Sequence, residues 1–173
     1  MKIAVVIGHD SKSAGAYSND LGLSEYIYNS EVAAHLSGVA DIYKRPNVKG
    51  YNSQMKVLAD TLKPFKYDLV IELHFNSFNK KAEGTETVTY KGNSKTLQYG
   101  KVFNELISKQ YNTVNRGEKT VSLSTDRGFG FLSSMSSDAI ILEPFFGDNV
   151  EALKFKDVQE YACVIKEWLL NIQ

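Results

Sequence analysis

A chain of 173 residues suits one domain and is long enough to bury a real core. Its 43% apolar and 23% charged residues are ordinary for a soluble globular protein, and 20 basic side chains cancel 20 acidic ones, so nothing in the balance points to nucleic acid. A single cysteine, Cys163, excludes an intrachain disulfide framework or a cysteine zinc knuckle and is expected to be a small buried apolar residue, and no apolar run is long enough for membrane insertion or a signal-peptide core.

In chain order, residues 2–7 read as a buried strand and 10–22 as a polar loop rich in Gly, Ser and Asn. Residues 24–38 read as a helix: Ser24 is the candidate N-cap, and Ile27, Val32, Ala33, Ala34 and Leu36 form its apolar face. A short strand at 40–44 stops at Arg45-Pro46-Asn47, since proline cannot donate to a ladder. A second amphipathic helix at 52–63 carries Met55, Val57, Leu58 and Leu62. Residues 67–74 are a strand, 76–84 a polar loop, and 85–91 an alternating, half-exposed strand rich in threonine. A third helix spans 94–111, and 112–137 is expected to be irregular, a long weakly structured stretch of the kind that carries function. The last strand is 138–143, followed by a short helix at 149–154 and an amphipathic one at 156–171 with Trp168. Strands alternating with helices imply an α/β fold with a largely parallel sheet and no second domain.

Three of the apolar strands end on chemistry. Ile3 to Ile7 leads to Gly8-His9, Leu69 to Leu73 leads to His74, and Ala139 to Leu142 leads to Glu143. The carboxyl ends of parallel strands form the crevice where ligands bind, so His, His and Glu at three such ends point to a metal site with a general base beside it. A catalytic zinc site commonly takes three protein ligands and leaves a position for water. Glu25, in the first turn of the helix after the His9 loop, is the best third ligand. Asp10 is too close to His9 in the chain, and Glu31 and His35 lie further along the helix.

Six motifs in order resemble a known family. They are Gly8-His9, then Glu25 with Asn29, then Leu73-His74-Phe75-Asn76, then Gly84-Thr85-Glu86, then Asn115-Arg116-Gly117, then Glu143-Pro144-Phe145-Phe146 with Asn149. Singly each is weak; together, at compatible spacing, they resemble the zinc-dependent N-acetylmuramoyl-L-alanine amidases of type 3, found in bacterial wall hydrolases and phage endolysins, over Ile3 to about residue 168. The resemblance implies a mixed, largely parallel sheet of about six strands flanked by helices. It implies one zinc ion on His9, Glu25 and His74, and Glu143 as the base that activates water. The bond cut would be the amide between N-acetylmuramic acid and L-alanine, with peptidoglycan as partner. Without an export signal, the protein would be made in the cytoplasm and reach the wall after a holin opens the membrane.

The chain departs from that pattern in places. The aspartate and glycine pair common around the first histidine are missing, and Ser133 and Asp138 replace an arginine and a proline near the last strand. Glu72 stands where the family often has serine; two residues before His74 it faces the same side of the strand, as a partner of a ligand imidazole or a ligand itself. Asn76 is a further polar group for the site, and Arg116 or Arg127 are candidate cations for a stem-peptide carboxylate. Another zinc amidohydrolase is a competing reading, but zinc carboxypeptidases usually carry His-x-x-Glu and no glutamate follows His9 at that spacing. An inactive wall-binding module is the third, opposed by retention of all four site residues.

Overall fold

The computed structural model describes residues 1–173. The chain runs β1 (Ile3–Ile7), β2 (Tyr17–Ser18), β3 (Leu23–Ser24), α1 (Glu25–Leu36), β4 (Asp41–Lys44), α2 (Tyr51–Leu62), β5 (Leu69–Leu73), β6 (Thr85–Tyr90), α3 (Ser94–Tyr111), β7 (Asn115–Val121), α4 (Phe129–Ser134), β8 (Asp138–Glu143) and α5 (Val158–Asn171), with 3₁₀ turns at Lys63–Phe65 and Val150–Phe155. Six strands form one sheet in the order β4-β1-β5-β8-β6-β7. The first four are mutually parallel; β6 runs antiparallel to β8 and parallel to β7. This is the mixed, largely parallel α/β sheet the sequence implies.

The apolar strands have helices on both faces. Ile3, Val5 and Ile7 of β1, with Leu69, Ile71 and Leu73 of β5, pack into the larger core with residues of α1, α3 and α5. The intervening Ala4, Val6 and Val70 pack on the other face with Met55, Leu58 and Leu62 of α2 and Phe131 and Leu132 of α4. Side chains alternate across a strand, so a strand covered twice must be apolar throughout. The two histidine-bearing strands lie side by side in the middle of the sheet with β8, and all three end at the same edge.

Several expectations need correction. Residues 112–137 are not irregular: they hold β7 and α4. β7 is an edge strand whose side chains are largely exposed and polar, as edges that must resist further pairing often are, so no apolar alternation betrays it. β6 is buried from Thr85 to Thr89 rather than half-exposed, and its threonines are met by Asn104 of α3, which accepts from Thr85 Oγ1 and donates to Thr87 Oγ1. The loop at 10–22 contains β2, which pairs with β3 as a small antiparallel ladder. Ser24 does cap α1, but Ile27 and Ala34 face solvent, and Tyr28 and Asn29 join Val32, Ala33 and Leu36 inside. Val57 is also exposed. Cys163 is exposed on α5 rather than buried. Trp168 is buried and donates to the Tyr99 carbonyl, tying α5 to α3.

Candidate active site

His9, Glu25 and His74 come together: their ligating atoms lie within 4.8 Å of one another. His9 follows β1 and His74 follows β5, and these strands pair with Ile7 beside Leu73. The approach is close. A Cβ on Gly8 would stand 2.7 Å from the His74 ring, so only glycine lets the two chain segments meet. His9 itself has φ 66, a left-handed backbone uncommon for a non-glycine residue and of the kind concentrated at functional sites. Its ring meets that of His74 edge to face, with centroids 5.0 Å apart.

Glu25 reaches the pair from the first turn of α1, where Ser24 accepts from the Ile27 N–H and the helix entry is fixed. It is 1% exposed. Its Oε1 accepts from the Phe75 N–H and contacts His74 Nδ1 at 2.7 Å; its Oε2 accepts from the Ala16 N–H. Burial opposes its ionisation, but His74 and His9 hold the carboxyl well below the usual carboxylate range. Gly15 closes the loop against this group: a Cβ there would lie 2.5 Å from Glu25 Oε2 and 2.7 Å from His9 Cδ2. The alternatives are elsewhere. Glu31 and His35 are exposed on α1, and Asp10 is tied to Gln54 and to the N–H groups of Lys12 and Ser13.

The donor set fits a metal. His9 Nε2 is buried and stands 3.1 Å from Glu25 Oε2, yet it makes no aligned hydrogen bond. A buried nitrogen left unpaired beside a buried carboxylate is costly unless something else satisfies it. Two imidazoles and one carboxylate are the ligand types that zinc takes at catalytic sites.

Glu72 faces the site, as its spacing from His74 predicts. Its Oε2 is 3.1 Å from His74 Nε2, on the side of the ring opposite Glu25, and its Oε1 is 2.8 Å from Arg45 Nη2. Burial disfavours its charge, but Arg45 and His74 pull its carboxyl below the ordinary value. His74 shows the reverse balance: burial works against a charged ring, and Glu72 and Glu25 outweigh it and push the ring up to about 10. Arg45 is the residue the sequence reading missed. It follows the end of β4 and reaches Glu72 across the neighbouring strand β1, over a separation of 27 residues, and only the strand order β4-β1-β5 reveals that contact.

Glu143 closes the far side. It is the last residue of β8, next to the end of β5, where the His74 N–H donates to Leu142 O at 3.0 Å. Burial pushes its carboxyl up to about 7, while His74 and Arg127 pull it down and Glu86 and Glu25 push it further up. Glu86 is its direct partner across the antiparallel β6–β8 pair. That carboxylate is held by Arg116 Nε at 2.6 Å and Asn76 Nδ2 at 2.9 Å. Arg116 is thus committed to Glu86, with its guanidinium over the Phe146 ring at 4.9 Å. Asn76 lines the cleft, whereas Phe131, Phe145 and Phe146 are buried behind it and are not part of its lining. The cleft measures about 840 Å³ and contains His9, His74, Glu72 and Glu143. An enclosed base, raised toward neutrality beside a metal-type donor set, can take a proton from water and return it.

The fold has relatives among solved structures. The chain is 27% identical to the catalytic domain of the CD27L endolysin targeting Clostridia difficile, with a TM-score of 0.79 over 99% of this chain and 97% of that one. It resembles Cwp6 from Clostridium difficile at 22% identity and a TM-score of 0.75, over 96% of this chain and 29% of that longer one. It also resembles the catalytic domain of CwlV, an N-acetylmuramoyl-L-alanine amidase from Bacillus (Paenibacillus) polymyxa var. colistinus, at 18% identity and a TM-score of 0.69 over the full length of both. No curated protein sequence matches the chain. A family model described as N-acetylmuramoyl-L-alanine amidase matches residues 3–166, which include every residue of the site, and the chain belongs to that family.

Proposed function

We propose that this amidase works with one zinc ion on His9, Glu25 and His74, and that Glu143 is its general base. The observation that carries the reading is the convergence of the three donors around the unpaired His9 Nε2, at the strand end next to Glu143. A zinc ion held by His9, Glu25 and His74 would supply Lewis acidity toward the scissile carbonyl and the attacking water. Glu143 accepts the proton of the attacking water at its carboxylate and delivers it to the amine nitrogen of L-alanine as the lactyl amide breaks. Burial of Glu143 at the end of β8 keeps bulk water from its carboxyl and sustains the base near neutrality. Asn76 and Arg116 act through Glu86, holding a second carboxylate still beside the base. Purified protein is expected to bind one equivalent of zinc and to release new L-alanine amino termini from sacculi. Zinc binding without such termini overturns the reading.

Glu72 is a positioning residue in this scheme. His74 Nδ1 faces Glu25 and Nε2 faces Glu72, so a ring that ligates through Nδ1 turns its other nitrogen to a carboxylate. Such partners typically set metal affinity by about 10- to 100-fold. Glu72→Gln is therefore expected to weaken zinc binding by about that factor, measured by competition with a chelating dye. Unchanged affinity would remove Glu72 from the site, and complete loss of zinc would make it a ligand.

We further propose that residues 1–173 form one catalytic unit acting as a phage or prophage endolysin. The likeness to the CD27L catalytic domain over nearly the whole of both chains supports this. No helix is long and apolar enough to cross a membrane. Made in the cytoplasm, such an enzyme reaches peptidoglycan after a holin opens the membrane; co-expression with a holin should lyse cells, and lysis at the same rate without one would refute the dependence.

A further inference from the structure

Arg45, Lys119 and Arg127 line the cleft, Arg116 lies just behind it, and all but Arg127 are occupied. Arg45 pairs with Glu72 at 2.8 Å, Arg116 with Glu86 at 2.6 Å, and Lys119 Nζ donates to the Arg116 carbonyl at 2.7 Å. Arg127 alone has neither a carboxylate nor a short hydrogen bond. Its one contact is Nη1 to Asn76 Oδ1 at 3.4 Å, beyond the usual range, and that oxygen already accepts from the Ser77 N–H at 3.0 Å. The adjacent Asp126 is not its partner, since Asp126 Oδ2 accepts from the N–H groups of Ser122 and Leu123, both at 2.8 Å.

Those same bonds close the turn that presents Arg127. Gly128 follows with φ 87 and caps α4, and a Cβ on it would lie 2.6 Å from the Ile141 side chain, so the backbone is seated on the sheet. The backbone is thus held while the guanidinium is left open to the cleft.

We propose that Arg127 anchors a carboxylate of the stem peptide on the leaving-amine side of the scissile bond. A guanidinium fork matches a carboxylate with two parallel hydrogen bonds, and one free of internal partners is ready to make them. The peptide then lies on the Arg127 side of Glu143. This rests on the amidase reading and deepens it: the enzyme prefers stem peptides whose residue after L-alanine keeps a free carboxylate over those in which it is amidated.

The test uses two muramoyl peptides identical but for that carboxyl, free or amidated, and the two corresponding peptides without sugar. Wild type should bind the free-acid peptide about 10- to 100-fold more tightly than the amide, the range for hydrogen bonds to charged groups. Arg127→Gln should erase the difference in both binding and kcat/KM, through KM, with zinc content and Tm unchanged. Arg127→Lys should restore part of it. Equal affinity of wild type for the two peptides overturns the proposal, as does an equal loss on both substrates in Arg127→Gln, which would place Arg127 at Glu143 or the reacting carbonyl. Intact binding selectivity with no cleavage of either substrate would fault the amidase reading alone.

Discussion

Glu143→Gln is expected to lose about 10²- to 10⁴-fold in turnover on sacculi, the usual contribution of a general base, while retaining its zinc. The same substitution should raise the stability of the metal-free protein at alkaline pH. Folding moves the Glu143 carboxyl from 4.5 to about 7, chiefly by burial. Between those values the unfolded chain has released the proton and the folded chain has kept it, so stability falls as pH rises through the window. The cost is absent below about pH 4.5 and complete above about pH 7. At 1.36 kcal/mol per pH unit it amounts to as much as about 3 kcal/mol. Glutamine has no proton to lose. Denaturation of chelator-treated protein should show the variant gaining on wild type between pH 5 and pH 8 as this cost develops. A gap that stays constant across that range would mean that Glu143 ionises in the fold without cost, and wild-type turnover in the variant would remove it as the base. Natural active sites often carry such a stability cost where function needs a strained group.

Glu25→Ala is expected to reduce zinc affinity by more than about 100-fold, exceeding what loss of a supporting residue produces. Glu25 is buried and joined to both histidines, to Phe75 N–H and to Ala16 N–H. Its removal takes away one donor and unfastens the loop that positions another. Glu31→Ala, on the solvent face of the same helix, should leave affinity unchanged. Calorimetric titration of apo protein separates the two. If Glu31→Ala is the variant that loses zinc, the third ligand has been assigned to the wrong residue.

The site combines groups with opposed electrostatic situations. Glu25 and Glu72 are kept ionised by adjacent cations, although both are buried. Glu143, on the next strand, lacks such a close partner and is raised. Carboxylates whose environments push them apart in this way suit different jobs, two as fixed negative charge and one as proton carrier.

The sequence by itself determined the framework of this protein. β1, β5 and β8 are apolar runs because both their faces are covered, interrupted within β5 only by Glu72 at the site, and they end on His9, His74 and Glu143. Ser24 as helix cap placed Glu25 at the entry to α1, facing the same end. These signals are local, carried by periodicity and by residues next to one another in the chain. Tertiary structure decided the rest. β7 is polar on its exposed surface and forms because β6 offers it a ladder, and β6 can be buried at Thr85 and Thr87 because Asn104 satisfies their hydroxyls. Arg45 meets Glu72 because β1 spaces their strands, and Arg116 meets Glu86 through the β6–β7 pair rather than through nearness in the chain. Arg127 stands out only once every other cation at the cleft has been matched to its partner. Ion pairs between distant segments leave no periodic trace, since a charge is chosen for what lies across the fold and not for its neighbours in sequence.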